Sequence, residues 1–176
     1  PVGATSYNYD AWKTTVTDPN NKAKNYYRDA NNQLVKVDEI LDGMVYPSTY
    51  QYNYLGKLIN ITDSQNNTRN FNYDSLGRLT SQQEMHKQSA SSWGIWNFQY
   101  DAAFNLISKT DPKNQVVNYT YDDLNRILTD DYTGTTGIDV SYVYDTATNG
   151  IGRLTSVTKN TNPAVSTSYA YDIWGR

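Results

Sequence analysis

Cysteine is absent from the 176 residues, which excludes disulfide staples and thiolate metal sites. Histidine occurs once, at His86, so neither a Ser/His/Asp triad nor a multi-histidine metal site can be assembled, and the residue reads as part of a loop over 84–97. Charged residues make up only 19% of the chain, the net charge is -3, and Lys and Arg are scattered singly. That excludes a basic surface tracking phosphates, and nucleic acid as a partner with it. No stretch approaches the roughly 20 apolar residues that cross a bilayer as a helix. Pro1 to Ser6 carries neither a charged n-region nor an apolar h-region, so any export signal is expected outside these residues.

Tyrosine is abundant, with 17 copies against 3 Phe and 4 Trp, and the mean hydropathy of -0.76 reflects Asn, Thr, Ser and Gln. Tyr and Thr favour a pleated, half-buried surface while Asn, Asp and Gly favour tight turns, so the composition predicts an all-β chain with many turns. A low-charge surface rich in Asn, Thr and Tyr points to an extracellular setting.

Internal repetition is plain. Tyr-Asp-Ser-Leu-Gly-Arg-Leu at 73–79 recurs as Tyr-Asp-Asp-Leu-Asn-Arg-Ile at 121–127 and Tyr-Asp-Ile-Trp-Gly-Arg at 171–176. Looser copies begin at Tyr9, Asp29, Tyr52 and Tyr100, and an eighth at Tyr144 carries an insertion before Gly152-Arg153-Leu154. Positions 10, 29, 53, 74, 101, 122, 145 and 172 hold Asp or Asn, with gaps of 19, 24, 21, 27, 21, 23 and 27, so the unit is near 21 residues.

Asp followed three residues later by Gly or Asn suits a three-residue hairpin loop, a type I turn closed by a residue in the left-handed region. The Asp side chain caps such a turn and Gly or Asn accepts positive φ. The pattern assigns turn roles to Asp74 with Gly77, Asp122 with Asn125 and Asp172 with Gly175, and to Asn32 and Gly56 in the looser copies. Lys13 and Phe104 occupy the same place and predict turns that differ or are strained. A second turn closes each unit, at Asp18 to Asn21, Asp63 to Asn66, Asp111 to Asn114 and Asp131 to Gly134.

Aromatic pairs precede most turn acids: Tyr7 and Tyr9, Tyr50 and Tyr52, Phe71 and Tyr73, Phe98 and Tyr100, Tyr119 and Tyr121, Tyr142 and Tyr144, Tyr169 and Tyr171. A spacing of two places both rings on one strand face, leaving the other face wettable. Such a repeat cannot bury its apolar face alone, so rows must stack on neighbouring repeats and the meander must curl. The fold class is therefore all-β: tandem β-hairpin repeats forming a spiralling, curved antiparallel sheet, one array over 1–176. The final repeat stops inside its hairpin turn at Arg176, which makes the chain a section of a longer one or a self-pairing unit.

Trp12 and Trp174 share a turn position, and Trp93 and Trp96 sit in the longest insertion; exposed among Asn and Asp, these four rings are candidates to stack on sugars. The competing expectation is that they pack over neighbouring hairpin tips. The acidic runs at Asp18 to Asn21 and Asp63 to Asn67 are explained as turns without calcium, and no metal or cofactor site is assigned. Recurrent carboxylates fall at turn-capping places, which argues against paired-acid glycoside chemistry. The sequons at Asn60, Asn66 and Asn118 matter only in a glycosylating host.

Tyr-Asp-x-x-Gly-Arg-Leu at this period resembles the YD-repeat, or Rhs-repeat, family, whose members include bacterial Rhs toxins, Tc toxin cocoon components, wall-associated proteins and the teneurins. The resemblance implies a β-sheet spiralling into a hollow shell that encloses an effector in toxins and supports adhesion in teneurins. The family's paired Asp-Pro-x-Gly-Leu self-cleavage motifs are missing: Asp18-Pro19 and Asp111-Pro112 continue as Asn-Asn and Lys-Asn. The expectation is a secreted or surface structural segment, not an enzyme. Its partners are the rest of its own repeat chain or further copies, with a toxin cargo or a glycan as further candidates. A carbohydrate- or protein-binding adhesin module and a self-associating fibre are the alternatives.

Overall fold

A computed structural model of the chain describes residues 4–84, 86–87 and 94–176, and among them only strands, turns and loops occur. The chain falls into two compact units, Pro1–Ile95 and Trp96–Arg176. In the first, the strands are β1 (Ser6–Asp10), β2 (Lys13–Thr17), β3 (Ala23–Arg28), β4 (Leu34–Leu41), β5 (Met44–Tyr52), β6 (Leu58–Thr62), β7 (Asn67–Tyr73) and β8 (Leu79–Gln83). Each pairs antiparallel with the next. A two-residue strand, β9 (His86–Lys87), pairs with β7 at Thr68 and Asn67. The expected loop placement of His86 is therefore corrected, because its backbone finishes the β7 ladder beyond the end of β8.

The second unit is also a meander: β10 (Ile95–Tyr100), β11 (Leu106–Thr110), β12 (Val116–Tyr121), β13 (Ile127–Tyr132), β14 (Val140–Tyr144), β15 (Leu154–Lys159) and β16 (Val165–Ser168). Strand alternation places Val117, Tyr119 and Tyr121 of β12 on one face, opposite Tyr132, Asp130 and Ile127 of β13. Val116, Asn118 and Thr120 take the other face.

Each unit is one sheet deep, and burial is correspondingly thin. Among the described residues Val37 is the one buried apolar side chain, whereas Asp38, Thr68 and Gln83 are buried polar ones. The polar face is thus more than wettable, because its side chains bond to each other across strands. Asn60 Nδ2 donates to Asn70 Oδ1 (2.7 Å) and Asn70 Nδ2 to Gln83 Oε1 (3.1 Å), and within β6 Thr62 Oγ1 donates to Asn60 Oδ1 (2.9 Å). Thr15 and Asn25 form a similar rung (2.8 Å), as do Thr120 and Thr129 in the second unit (2.7 Å). Such cross-strand pairs contribute roughly 0.2–1 kcal/mol each, so a row of them replaces part of what a core would supply.

One expected turn is displaced. Asp131 lies inside β13, paired with Asn118, because the ladder continues one more step to Val117 and Tyr132. The connection to β14 runs over 133–139, where Asp139 Oδ2 accepts the Tyr132 N–H and the Thr135 hydroxyl, each at 2.7 Å.

Candidate functional site

The recurring motif lies at the hairpin tips. At Asp74 the backbone N–H donates to the Arg78 carbonyl and the Asp74 carbonyl accepts from Gly77 N–H, both at 3.0 Å. Asp74 Oδ1 also accepts the N–H groups of Leu76 (3.0 Å) and Arg78 (2.9 Å). Gly77 has φ +77°, which an L side chain adopts reluctantly. The same loop forms at Asp29 with Asn32 (φ 62°), Asn53 with Gly56 (73°), Asp122 with Asn125 (60°) and Asp172 with Gly175 (76°). The N–H of the fourth residue onward holds the Asp74, Asp122 and Asp172 carboxyls below the usual carboxylate range. Carboxylates committed in this way cap turns and are poor candidates for proton transfer.

Two tips deviate. Asp10 and Lys13 pair directly across a two-residue turn with Ala11 at φ 46°, so Lys13 is strand and Ala11 takes the positive φ. Phe104 adopts φ 70°, and its N–H bond to the Asp101 carbonyl lengthens to 3.3 Å. A ring-bearing residue is accommodated there at the expense of turn geometry.

Consecutive tips are joined by the remaining motif residues. Tyr52 hydroxyl donates to the Leu34 carbonyl (2.9 Å), Tyr73 to Leu58 (2.9 Å), Tyr121 to Leu106 (2.8 Å) and Tyr171 to Leu154 (2.7 Å). The cause lies in the register. Pairing of β11 with β12 begins at Ser108 and Asn118, so Leu106 and Thr120, two steps further toward the tip, do not meet. The Leu106 carbonyl would be left without a ladder partner, and the Tyr121 hydroxyl takes it. Tyrosine at the end of one repeat therefore staples leucine at the start of the preceding return strand.

The residue after the left-handed position reaches forward as well. Gln33 Nε2 donates to the Gly56 carbonyl (3.4 Å), Asn105 Nδ2 to Asn125 Oδ1 (2.8 Å) and Arg153 Nη1 to the Gly175 carbonyl (3.0 Å). A Cβ on Gly175 would collide with the Arg153 guanidinium, so glycine there serves close approach as well as the turn. Arg126 is the fullest case: Nε binds Asp122 Oδ2 (2.7 Å), both Nη atoms bind Asp145 (3.0 and 2.7 Å), and the guanidinium lies 4.4 Å from the Tyr144 ring centroid. Those bonds hold the Asp145 carboxyl down and push the Arg126 guanidinium up. Arg153 sits 5.2 Å over Tyr171 in the same manner.

Trp12 and Trp174 lie at tips and are 62% and 74% exposed, while Trp93 falls outside the described residues. Trp96 is different: it is half-buried on the aromatic face, with Lys109 Nζ 4.4 Å from its ring centroid. It lines a cleft of about 260 Å³ with Asp111, Gln115, Val117, Tyr119 and Tyr132. Tyr132 also borders a second cleft of about 540 Å³ with Asp130, Asp139, Tyr142 and Lys159. Burial raises the Asp130 carboxyl, and burial plus the Asp130 charge pushes the Tyr142 hydroxyl up to about 12. Among the described residues no group of three metal-ligating side chains occurs, and no helix is long and apolar enough to cross a membrane.

A family model, the teneurin YD-shell, matches residues 6–176. The chain belongs to the teneurin YD-shell family. No curated protein matches the sequence. Among solved structures, this YD-shell chain is similar to the crystal structure of TcdB2-TccC3-Cdc42, at 12% identity and a TM-score of 0.64 over 96% of this chain and 11% of that one. The crystal structure of TcdB2-TccC3-TEV matches at 13% identity and 0.62, over 98% and 12%. That of TcdB2-TccC3 matches at 12% and 0.60, over 96% and 12%. At such identity the likeness shows a shared fold, and the chain spans 11–12% of the length of these structures. In YD-shell terms the motif now reads in full. Asp and Gly make the turn, Tyr and Leu exchange a hydrogen bond between repeats, and Arg ties one tip to the next. The Tyr-to-Leu and Arg-to-next-tip links cannot be read from single repeats, although Leu34, Leu58 and Leu106 recur five residues after the turn acid and Leu154 follows Asp145 across the insertion.

Proposed function

We propose that this chain is a structural segment of a secreted or surface-displayed YD-repeat wall, one continuous array of about eight repeats over 1–176, that encloses cargo or presents a surface to extracellular partners. The tip-to-tip staples carry the proposal, because they commit the recurrent Tyr, Asp, Arg and Leu to holding repeats together and leave the turn carboxylates without a chemical task. The turn residues Asn32, Gly56, Asp74, Gly77, Asp122, Asn125, Asp172 and Gly175 serve that scaffold. Limited proteolysis of the natural polypeptide that contains this array tests enclosure. A segment held inside stays uncut while the wall is intact and is digested after the Tyr staples are removed. Equal digestion of that segment before and after would overturn enclosure.

A second reading, a binding module for a glycan or protein, is favoured by one observation: Trp96 lies in a cleft beside tyrosines and polar groups. Trp12 and Trp174 offer exposed rings at hairpin tips.

A further inference from the structure

We infer that the aromatic face of the second unit carries a groove for uncharged saccharide chains, centred on Tyr132; this rests on the binding-module reading and gives it a place and a ligand class. The register builds the groove. Val117 stands opposite Tyr132, Tyr119 opposite Asp130, Asp130 opposite Val140, and Val140 opposite Lys159, so one row of side chains crosses from β12 to β15 on the face that also holds Trp96. From β10 to β15 are five strand steps of about 4.8 Å, roughly 24 Å, a length suited to an oligomer rather than to a single ring. Tyr132 is 46% exposed and borders both clefts, so it forms the wall they share.

The lining has the two elements that sugar recognition uses, flat apolar rings for the C–H faces and polar groups with unfilled valences for hydroxyls. The Lys109 ammonium over the Trp96 ring fixes that plate in place. Asp111 uses Oδ1 for the N–H groups of Lys113 and Gln115, which leaves Oδ2 to accept. Asp139 uses Oδ2 for Tyr132 and Thr135, which leaves Oδ1. The charge pattern sets the class. Asp111, Asp130 and Asp139 oppose sulfated or phosphorylated chains, while Lys109 and Lys159 oppose basic peptides.

The test uses the full chain on an array of neutral oligosaccharides, sulfated oligosaccharides and an oligo-arginine peptide, with circular dichroism to confirm that each variant folds. The expected result is binding to neutral oligosaccharides alone, weakened at least tenfold by Trp96→Ala and by Tyr132→Phe plus Trp96→Phe less than by the alanine change, and untouched by Trp12→Ala or Trp174→Ala. Saccharide binding that survives Trp96→Ala overturns the groove and leaves the binding-module reading intact. Preference for sulfated chains or for the peptide overturns the ligand class. Binding of none of the three probes overturns the groove and the module reading together.

Discussion

Replacing Tyr121 with Phe removes one oxygen atom and isolates the staple between repeats. The hydroxyl donates to the Leu106 carbonyl at 2.8 Å, both residues are half-buried, and the register offers that carbonyl no ladder partner. A hydrogen bond of this kind contributes about 1 kcal/mol net, and a carbonyl left unpaired away from water raises the loss toward about 2 kcal/mol. At this chain length that lowers Tm by roughly 2–4 °C per kcal/mol. The structure supplies its own control in Tyr144, whose hydroxyl makes no hydrogen bond among the described residues and whose ring is held by the Arg126 guanidinium 4.4 Å away. Phenylalanine keeps that ring, so Tyr144→Phe should fall within about 0.5 kcal/mol of wild type. Urea unfolding followed by circular dichroism measures both variants side by side. Equal losses in the two, or none in Tyr121→Phe, would refute the staple.

Gly77→Val should cost about 1 kcal/mol or more, because a β-branched residue resists φ +77°, and an unchanged melting temperature would remove Gly77 from its turn role. Arg126→Lys cannot reproduce the bidentate contact with Asp145, so the unfolding midpoint should become less sensitive to salt than in wild type, as a sodium chloride series would show. Acid should destabilise the chain. The folded-state values of Asp63, Asp74, Asp122, Asp145 and Asp172 lie below the unfolded value of about 3.9, so their stabilisation is complete above that value and is lost as pH falls through the depressed ones. Asp130 has the opposite sign. Burial raises its folded value, so its contribution is greatest below about pH 3.9 and is lost as pH rises through the raised value. Asp130→Asn should therefore gain stability relative to wild type as pH rises from 4 to 7, and a gain independent of pH would contradict the assignment.

The turns were legible because turn chemistry is local: Asp and the Gly or Asn three residues on decide φ and capping within five residues. The aromatic face was legible for the same reason, since a spacing of two fixes the face of a strand. What could not be read depends on the neighbouring repeat. Arg126 bridging Asp122 to Asp145, or Tyr171 reaching Leu154, requires knowing which strands are adjacent and where their ladder stops. Asp131 shows the same limit, because an acid before Gly134 looks like a cap until the register keeps it in β13 opposite Asn118. The polar face was underestimated for a related cause. Asn60, Asn70 and Gln83 look wettable one at a time, and only their alignment across three strands lets them satisfy each other. Of the four tryptophans, the sequence offered no means to separate Trp96, which lines a cleft, from Trp12 and Trp174, which stand exposed at hairpin tips.

A wall held by repeat-to-repeat bonds, with little buried beneath it, should open in pieces. Native-state hydrogen exchange across a urea series measures the opening free energy of each strand in the intact chain. Neighbour-to-neighbour stabilisation predicts a spread of values, lowest in the wholly exposed β1 and β16 and higher where a staple ties a strand paired on both sides to the next repeat, as at β6 and β11. One free energy shared by every strand would contradict it.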